Sequence, residues 1–216
     1  MSLILKPLLS RSSTLRLVNS SVYGFPYLSL TTIVFDIYVP RKEGLPLITL
    51  IAGTTHPGKT ALAQRLLEQH GWPYLSLDHL KMGLIRSGYT NLSVEDDDAL
   101  TALMWPIVRE MIKTAVENGQ HLVIEGCYLP FDWRKDFSEE YLPHIRFECL
   151  VMTEKYLRAH FDDIRRYGCV VEHRFGDDDF DLEALIRDNA ANLAQCRKHG
   201  CEVILIDDEY RVELPN

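Results

Sequence analysis

The stretch Gly53-Thr-Thr-His-Pro-Gly-Lys-Thr60 has residue types and a spacing that suit one chemistry well. Two glycines five apart let the backbone curl so that successive N–H groups face inward, a geometry that holds a polyphosphate. The stretch fits G-x-x-x-x-G-K-[ST] without a mismatch. Gly53, Thr54, Thr55, His56, Pro57, Gly58, Lys59 and Thr60 are therefore the candidate nucleotide-binding residues. In such a loop Lys59 bridges the β- and γ-phosphates of ATP, and the Thr60 hydroxyl ligates Mg2+. His56 lies inside the loop by position, although its side chain could simply point to solvent.

The loop works only between a strand that fixes its start and a helix whose N-terminal N–H groups and dipole favour an anion. The apolar run Leu47–Ala52 precedes it, and apolar spacing of helical type runs from Ala61 to His70. Further along, residues 73–77, 121–125, 145–152 and 201–206 read as strands. Helices are expected over 79–87, 99–118, 154–167 and 181–199. Pro106 should either kink the helix over 99–118 or start another. Asp181 is placed to cap the last helix and Gly200 to end it. Five strands separated by helices predict an α/β protein. The expected form is a three-layer α/β/α sandwich on a five-stranded, mainly parallel sheet, the P-loop NTPase fold.

The ends of the other strands carry the remaining candidates. Asp78 ends the second strand, where it could also cap the helix that follows. Glu125 ends an apolar third strand, where packing has no use for a carboxylate; a role holding Mg2+ through a bound water is expected. No guanine-binding Asn/Thr-Lys-x-Asp follows a late strand; Thr153-Glu-Lys-Tyr156 lacks the aspartate. No Asp-Glu pair follows the third strand, as a remodelling ATPase would have.

With these strand ends, residues 47–210 resemble the nucleoside-monophosphate-kinase group. Its members include adenylate and shikimate kinases, chloramphenicol phosphotransferase, zeta-toxin kinases and 2-phosphoglycerate kinase-like proteins. The resemblance implies a Mg-ATP-dependent phosphotransferase acting on a small hydroxyl- or phosphate-bearing acceptor. It makes Asp78 the group that orients an acceptor hydroxyl and takes its proton. Met82-Gly-Leu-Ile-Arg-Ser87 looks like an acceptor-binding helix and places Arg86 there. Glu125-Gly126 resembles the Asp-Gly of adenylate kinases, but Cys127-Tyr-Leu-Pro-Phe-Asp-Trp-Arg134 departs from their pattern, which leaves Arg134 a candidate acceptor ligand. A lid over about 165–181 is implied, with Arg165 and Arg166 neutralising charge on the transferred group and Arg158 on the nucleotide. At helical spacing Arg158 and Arg165 share a face, and Arg166 points elsewhere. Arg86, Arg134 and the lid arginines could also be ordinary surface cations. The competing reading is an ATP-binding switch or ATPase that needs no small acceptor.

Charge is divided unevenly. Residues 1–46 hold five basic and two acidic residues, net +3; the other 170 hold 18 and 29, net −11. An acidic body argues against nucleic-acid or membrane-surface partners and fits a cytoplasmic enzyme. The oligomeric state is not encoded in any feature of the chain. The acid-poor N-terminal extension, residues 1–46, reads either as an organellar transit segment or as a misread leader, the second being preferred. Its apolar runs are too interrupted for a transmembrane helix. The working domain is then 47–216. The five cysteines form no C-x-x-C pair, which predicts thiols in a reducing compartment, with Cys127 and Cys149 buried as small hydrophobes.

Overall fold

A computed structural model describes residues 47–167 and 181–214, all within one compact unit, Val39–Asn216. The extension and most of the expected lid, including Arg174, lie outside the described residues. Among the described residues there are five strands, β1 (Ile48–Gly53), β2 (Tyr74–Ser76), β3 (Leu122–Glu125), β4 (Ile145–Met152) and β5 (Glu202–Ile206), with two short 3-10 turns and no α-helix between β3 and β4. The helices are α1 (Lys59–His70), α2 (Leu77–Arg86), α3 (Asp97–Glu117), α4 (Glu154–Tyr167) and α5 (Leu182–His199). The strands pair in the order β2-β3-β1-β4-β5, and all four pairings are parallel.

Every residue of β1 is buried, as a central parallel strand covered on both faces requires. Its alternate side chains serve two cores. Ile48, Leu50 and Ala52 join Leu100, Met104, Val108 and Ile112 of α3. Ile51 joins Leu62, Ala63 and Leu66 of α1 and Leu157 of α4. Helices on both faces complete the three-layer sandwich. No helix among the described residues is long and apolar enough to cross a membrane.

Local departures from the expected elements have physical causes. α3 runs unbroken through Pro106, so no second helix starts there. Its buried stripe from Leu100 to Ala115 spans the proline. Burying several such side chains, each worth about 1.5–3 kcal/mol, outweighs a proline cost of about 3 kcal/mol. The second strand stops at Ser76, and α2 begins at Leu77, not at His79. Leu77 is packed under Gly126, where an added Cβ would lie 2.7 Å from the Leu77 Cβ. Asp78 consequently sits in the first turn of α2 and not at a strand end, and the capping position belongs to Ser76. α4 is interrupted at His160, whose φ of −123° and ψ of 18° are not helical. The expected shared face of Arg158 and Arg165 assumed one regular helix, and the break between them removes that basis. α5 follows expectation: Asp181 accepts from the N–H groups of Glu183 and Ala184, and Gly200 ends it at φ 64°.

Glu148 is a cost built into the sheet. It lies in β4 with 1% exposure, and Arg146 Nε is 3.1 Å from its Oε1 in a geometry that makes no hydrogen bond. Burial pushes its pKa up to about 7, which Arg146 opposes without cancelling. The folded state thus holds a proton that the unfolded chain releases near its ordinary value of 4.5. Stability is full below about pH 4.5 and falls as pH rises toward 7, by about 3 kcal/mol in total. Glu148→Gln should therefore match the parent in stability at pH 4 and exceed it by about 2–3 kcal/mol at pH 8. Urea denaturation at the two pH values measures this; equal differences at both would remove the buried-proton account.

Candidate active site

The phosphate loop leaves β1 at the carboxyl end of the sheet, between the ends of β3 and β4. Gly53 lies against β4, where an added Cβ would meet the Leu150 carbonyl oxygen at 2.8 Å. His56 holds a φ of 68°, and among the described residues it is the one non-glycine with positive φ. That left-handed residue and Gly58, at φ 90°, supply the curl. Gly58 occupies the capping position of α1, and no side chain caps that helix end. Such an uncapped helix start is an end that favours an anion.

Lys59 and Thr60 both make polar contacts within the site. Lys59 is 5% exposed; its Nζ donates to the Thr54 carbonyl at 2.6 Å and lies 3.5 Å from Cys127 Sγ. The Thr60 hydroxyl donates to Glu125 Oε1 at 3.2 Å. Glu125 is 1% exposed and stands level with Ile51 of β1 and Ser76 of β2. A hydroxyl and a carboxylate that converge at the loop are hard oxygen donors. They suit Mg2+, which takes few protein ligands and completes its shell with phosphate and water. Cys127 is exposed, contrary to its expected burial, because β3 ends at Glu125 and the chain then turns toward Lys59. Cys149 is buried as expected.

Three residues that sequence reasoning missed form a chain of contacts leading away from Asp78. Lys81, one helical turn on, is 3.1 Å from Asp78 Oδ1 and donates to Tyr128 Oη at 2.7 Å. Tyr128 in turn donates to Asp97 Oδ1 at 3.1 Å, and the ammonium also lies 4.9 Å from the Tyr128 ring centroid. Burial works against the Lys81 charge, but the Tyr128 bond and the Asp78 charge prevail and raise its pKa. Burial pushes the Tyr128 phenol up to about 12. The i,i+3 spacing of Asp78 and Lys81 was a usable signal; the approach of Tyr128 and Asp97 was not.

Two more missed residues hold the loop itself. Asn189 of α5, 2% exposed, donates from Nδ2 to Thr54 Oγ1 at 3.1 Å and to the Leu185 carbonyl at 2.8 Å. Its Oδ1 accepts from the Met152 N–H of β4 at 2.8 Å. Tyr210, in the segment after β5, donates to the Pro57 carbonyl at 3.1 Å.

The arginines fare differently. Arg134 does not join the site: its guanidinium donates to the His199 and Gly200 carbonyls and stacks over Trp133. It ends α5 where the chain enters β5, whereas the phosphate loop lies where the chain leaves β1, and in a parallel sheet these are opposite ends. Arg158 pairs with Glu154 and, through both terminal nitrogens, with Glu183 of α5. Arg86 is exposed at the last turn of α2, and Arg165 and Arg166 are exposed at the end of α4.

No family model matches the chain, and no curated protein matches it. Among solved structures it is similar to a sugar kinase from Janibacter sp. HTCC2649, with 17% identity and a TM-score of 0.43 over 75% of this chain and 85% of that one. It is similar to a gluconokinase from Sinorhizobium meliloti 1021, with 16% identity and a TM-score of 0.35 over 71% and 95%. A shikimate kinase from Bacteroides thetaiotaomicron has 14% identity and a TM-score of 0.40 over 74% and 86%.

Proposed function

We propose that this chain is a Mg-ATP-dependent phosphotransferase that moves the γ-phosphoryl group to a hydroxyl of a small molecule. The observation that carries the reading is the grouping at one end of the sheet. The Thr60–Glu125 pair at 3.2 Å adjoins a strand, β2, whose exit delivers the Asp78–Lys81 pair. A bare nucleotide switch needs the first pair and has no use for the second.

In this reading the loop N–H groups and Lys59 hold the polyphosphate. Thr60 would hold Mg2+ directly and Glu125 through a water; when bound, the ion neutralises charge on the β- and γ-phosphates. Asp78 orients the acceptor hydroxyl and takes its proton as the new O–P bond forms. The bond between the β,γ-bridging oxygen and the γ-phosphorus breaks, ADP leaves, and Asp78 returns the proton to water. Lys81 keeps the Asp78 carboxylate in place. Arg165 and Arg166 are proposed to neutralise the transferred group, and Arg86 to meet the acceptor.

ADP release, followed with Mg-ATP and a panel of sugars, nucleosides, nucleoside monophosphates, phosphoglycerate and amino alcohols, tests the reading. Release that depends on a hydroxyl compound supports it. Hydrolysis indifferent to every compound would favour the switch, and release only with phosphate acceptors would remove Asp78 as a base.

A further inference from the structure

Tyr210 lies 153 residues after the loop carbonyl to which it bonds, and it meets the loop at its tightest point. A methyl group added at Gly58 would lie 1.8 Å from Tyr210 Oη and 3.1 Å from Cζ. Gly58 therefore lacks a side chain for two reasons: its φ of 90°, and a phenol already occupying that space. The segment carrying Tyr210 is tied down two residues beyond it. Arg65 of α1 donates to the Val212 carbonyl at 2.8 Å, and Val212 is buried in the core that α1 shares. Tyr210 is thus held against the loop by its own neighbours, although its side chain remains 46% exposed.

The peptide that joins Pro57 to Gly58 converts this contact into a function. A trans peptide is planar, and its carbonyl and N–H point in opposite directions; no peptide among the described residues is cis. A hydroxyl that holds the Pro57 carbonyl toward Tyr210 necessarily turns the Gly58 N–H away from Tyr210. Glycine-flanked peptides rotate easily, so this direction needs a restraint. Lys59 restrains the other end of the loop through the Thr54 carbonyl, and no other described bond reaches the Pro57 carbonyl.

We infer that Tyr210 is a positioning residue of the nucleotide site, which fixes the Gly58 N–H as a donor to phosphate by holding the Pro57 carbonyl. The inference rests on the reading of the loop as a polyphosphate site. It concerns phosphate, not the base or the acceptor. Burial raises the phenol pKa, with Arg65 opposing, so the hydroxyl remains a proton donor through neutral pH.

The test compares Tyr210→Phe with the parent, using calorimetric affinities for two probes, Mg-ADP and inorganic tripolyphosphate. Phenylalanine keeps the ring and removes only the hydroxyl. Both affinities should fall by the same factor, about three- to tenfold, as expected for one lost hydrogen bond. The ligand-free protein should stay folded, with a melting temperature lower by at most about six degrees for the one lost hydrogen bond. Weaker Mg-ADP with unchanged tripolyphosphate would make Tyr210 a contact to the nucleoside and overturn the inference. Unchanged affinity for both overturns it, as does a loss of affinity that accompanies loss of the folded state. If the parent binds neither probe, the polyphosphate reading itself fails and takes this inference with it.

Discussion

Asp78→Asn is expected to slow acceptor-dependent ADP release about 10²–10⁴-fold while Mg-ATP affinity stays within a few-fold of the parent. A hydroxyl must lose its proton as the phosphoryl group arrives, and an amide of the same shape cannot take it. The local structure makes the substitution clean. The capping position of α2 belongs to Ser76, so Asp78 is not the cap whose loss would fray the helix. The amide oxygen of asparagine can still accept from Lys81, which preserves the bridge to Tyr128. If Asp78 serves only as a largely buried ion-pair partner of Lys81, the change costs stability and nothing in rate. Steady-state kinetics with an acceptor found by ADP release, beside calorimetric ATP affinity, separates these cases. Unchanged turnover would withdraw the base. A large loss of ATP affinity would move Asp78 among the nucleotide or metal ligands.

The second large effect belongs to Lys59. Lys59→Ala should lower Mg-ATP turnover by about 10²–10³-fold, the range seen when one preorganised donor to a developing charge is removed. The ammonium is almost wholly buried and already aimed along the loop by the Thr54 carbonyl. Alanine also strands that carbonyl, at a cost of about 1–3 kcal/mol, which a single core of this size tolerates. Circular dichroism should report a folded protein and calorimetry a loss of nucleotide binding. A folded Lys59→Ala protein with parental turnover is the result that would falsify the phosphate-loop reading.

What could be read from the chain alone was what is decided locally. The spacing of Gly53, Gly58, Lys59 and Thr60 carries its geometry within eight residues. The stop at Gly200 and the cap at Asp181 likewise need only their neighbours. The five strands followed from apolar runs that a buried parallel sheet must have. Contacts made through space left no such trace. Nothing near Asn189 announces Thr54, 135 residues earlier, and nothing near Arg134 announces the carbonyls that end α5. In the sequence Arg134 is a candidate acceptor ligand or a surface cation, because charge type is visible there and direction is not. The break at His160 belongs to the same class. Helical periodicity continues across it, and only the backbone reveals that the two halves of α4 are separately aimed.

Asn189 has one further consequence. Its amide spends one oxygen and two hydrogens on three separate segments: β4, the phosphate loop and its own helix. Whatever free energy the docking of α5 lends to the loop's ligand-ready form, a ligand seated in the loop must return to α5 in equal measure, since linkage between binding equilibria is reciprocal. The helix therefore acts as a reporter of occupancy. Amide hydrogen exchange along α5 should slow when nucleotide binds, although α5 contributes no residue of the phosphate-binding motif.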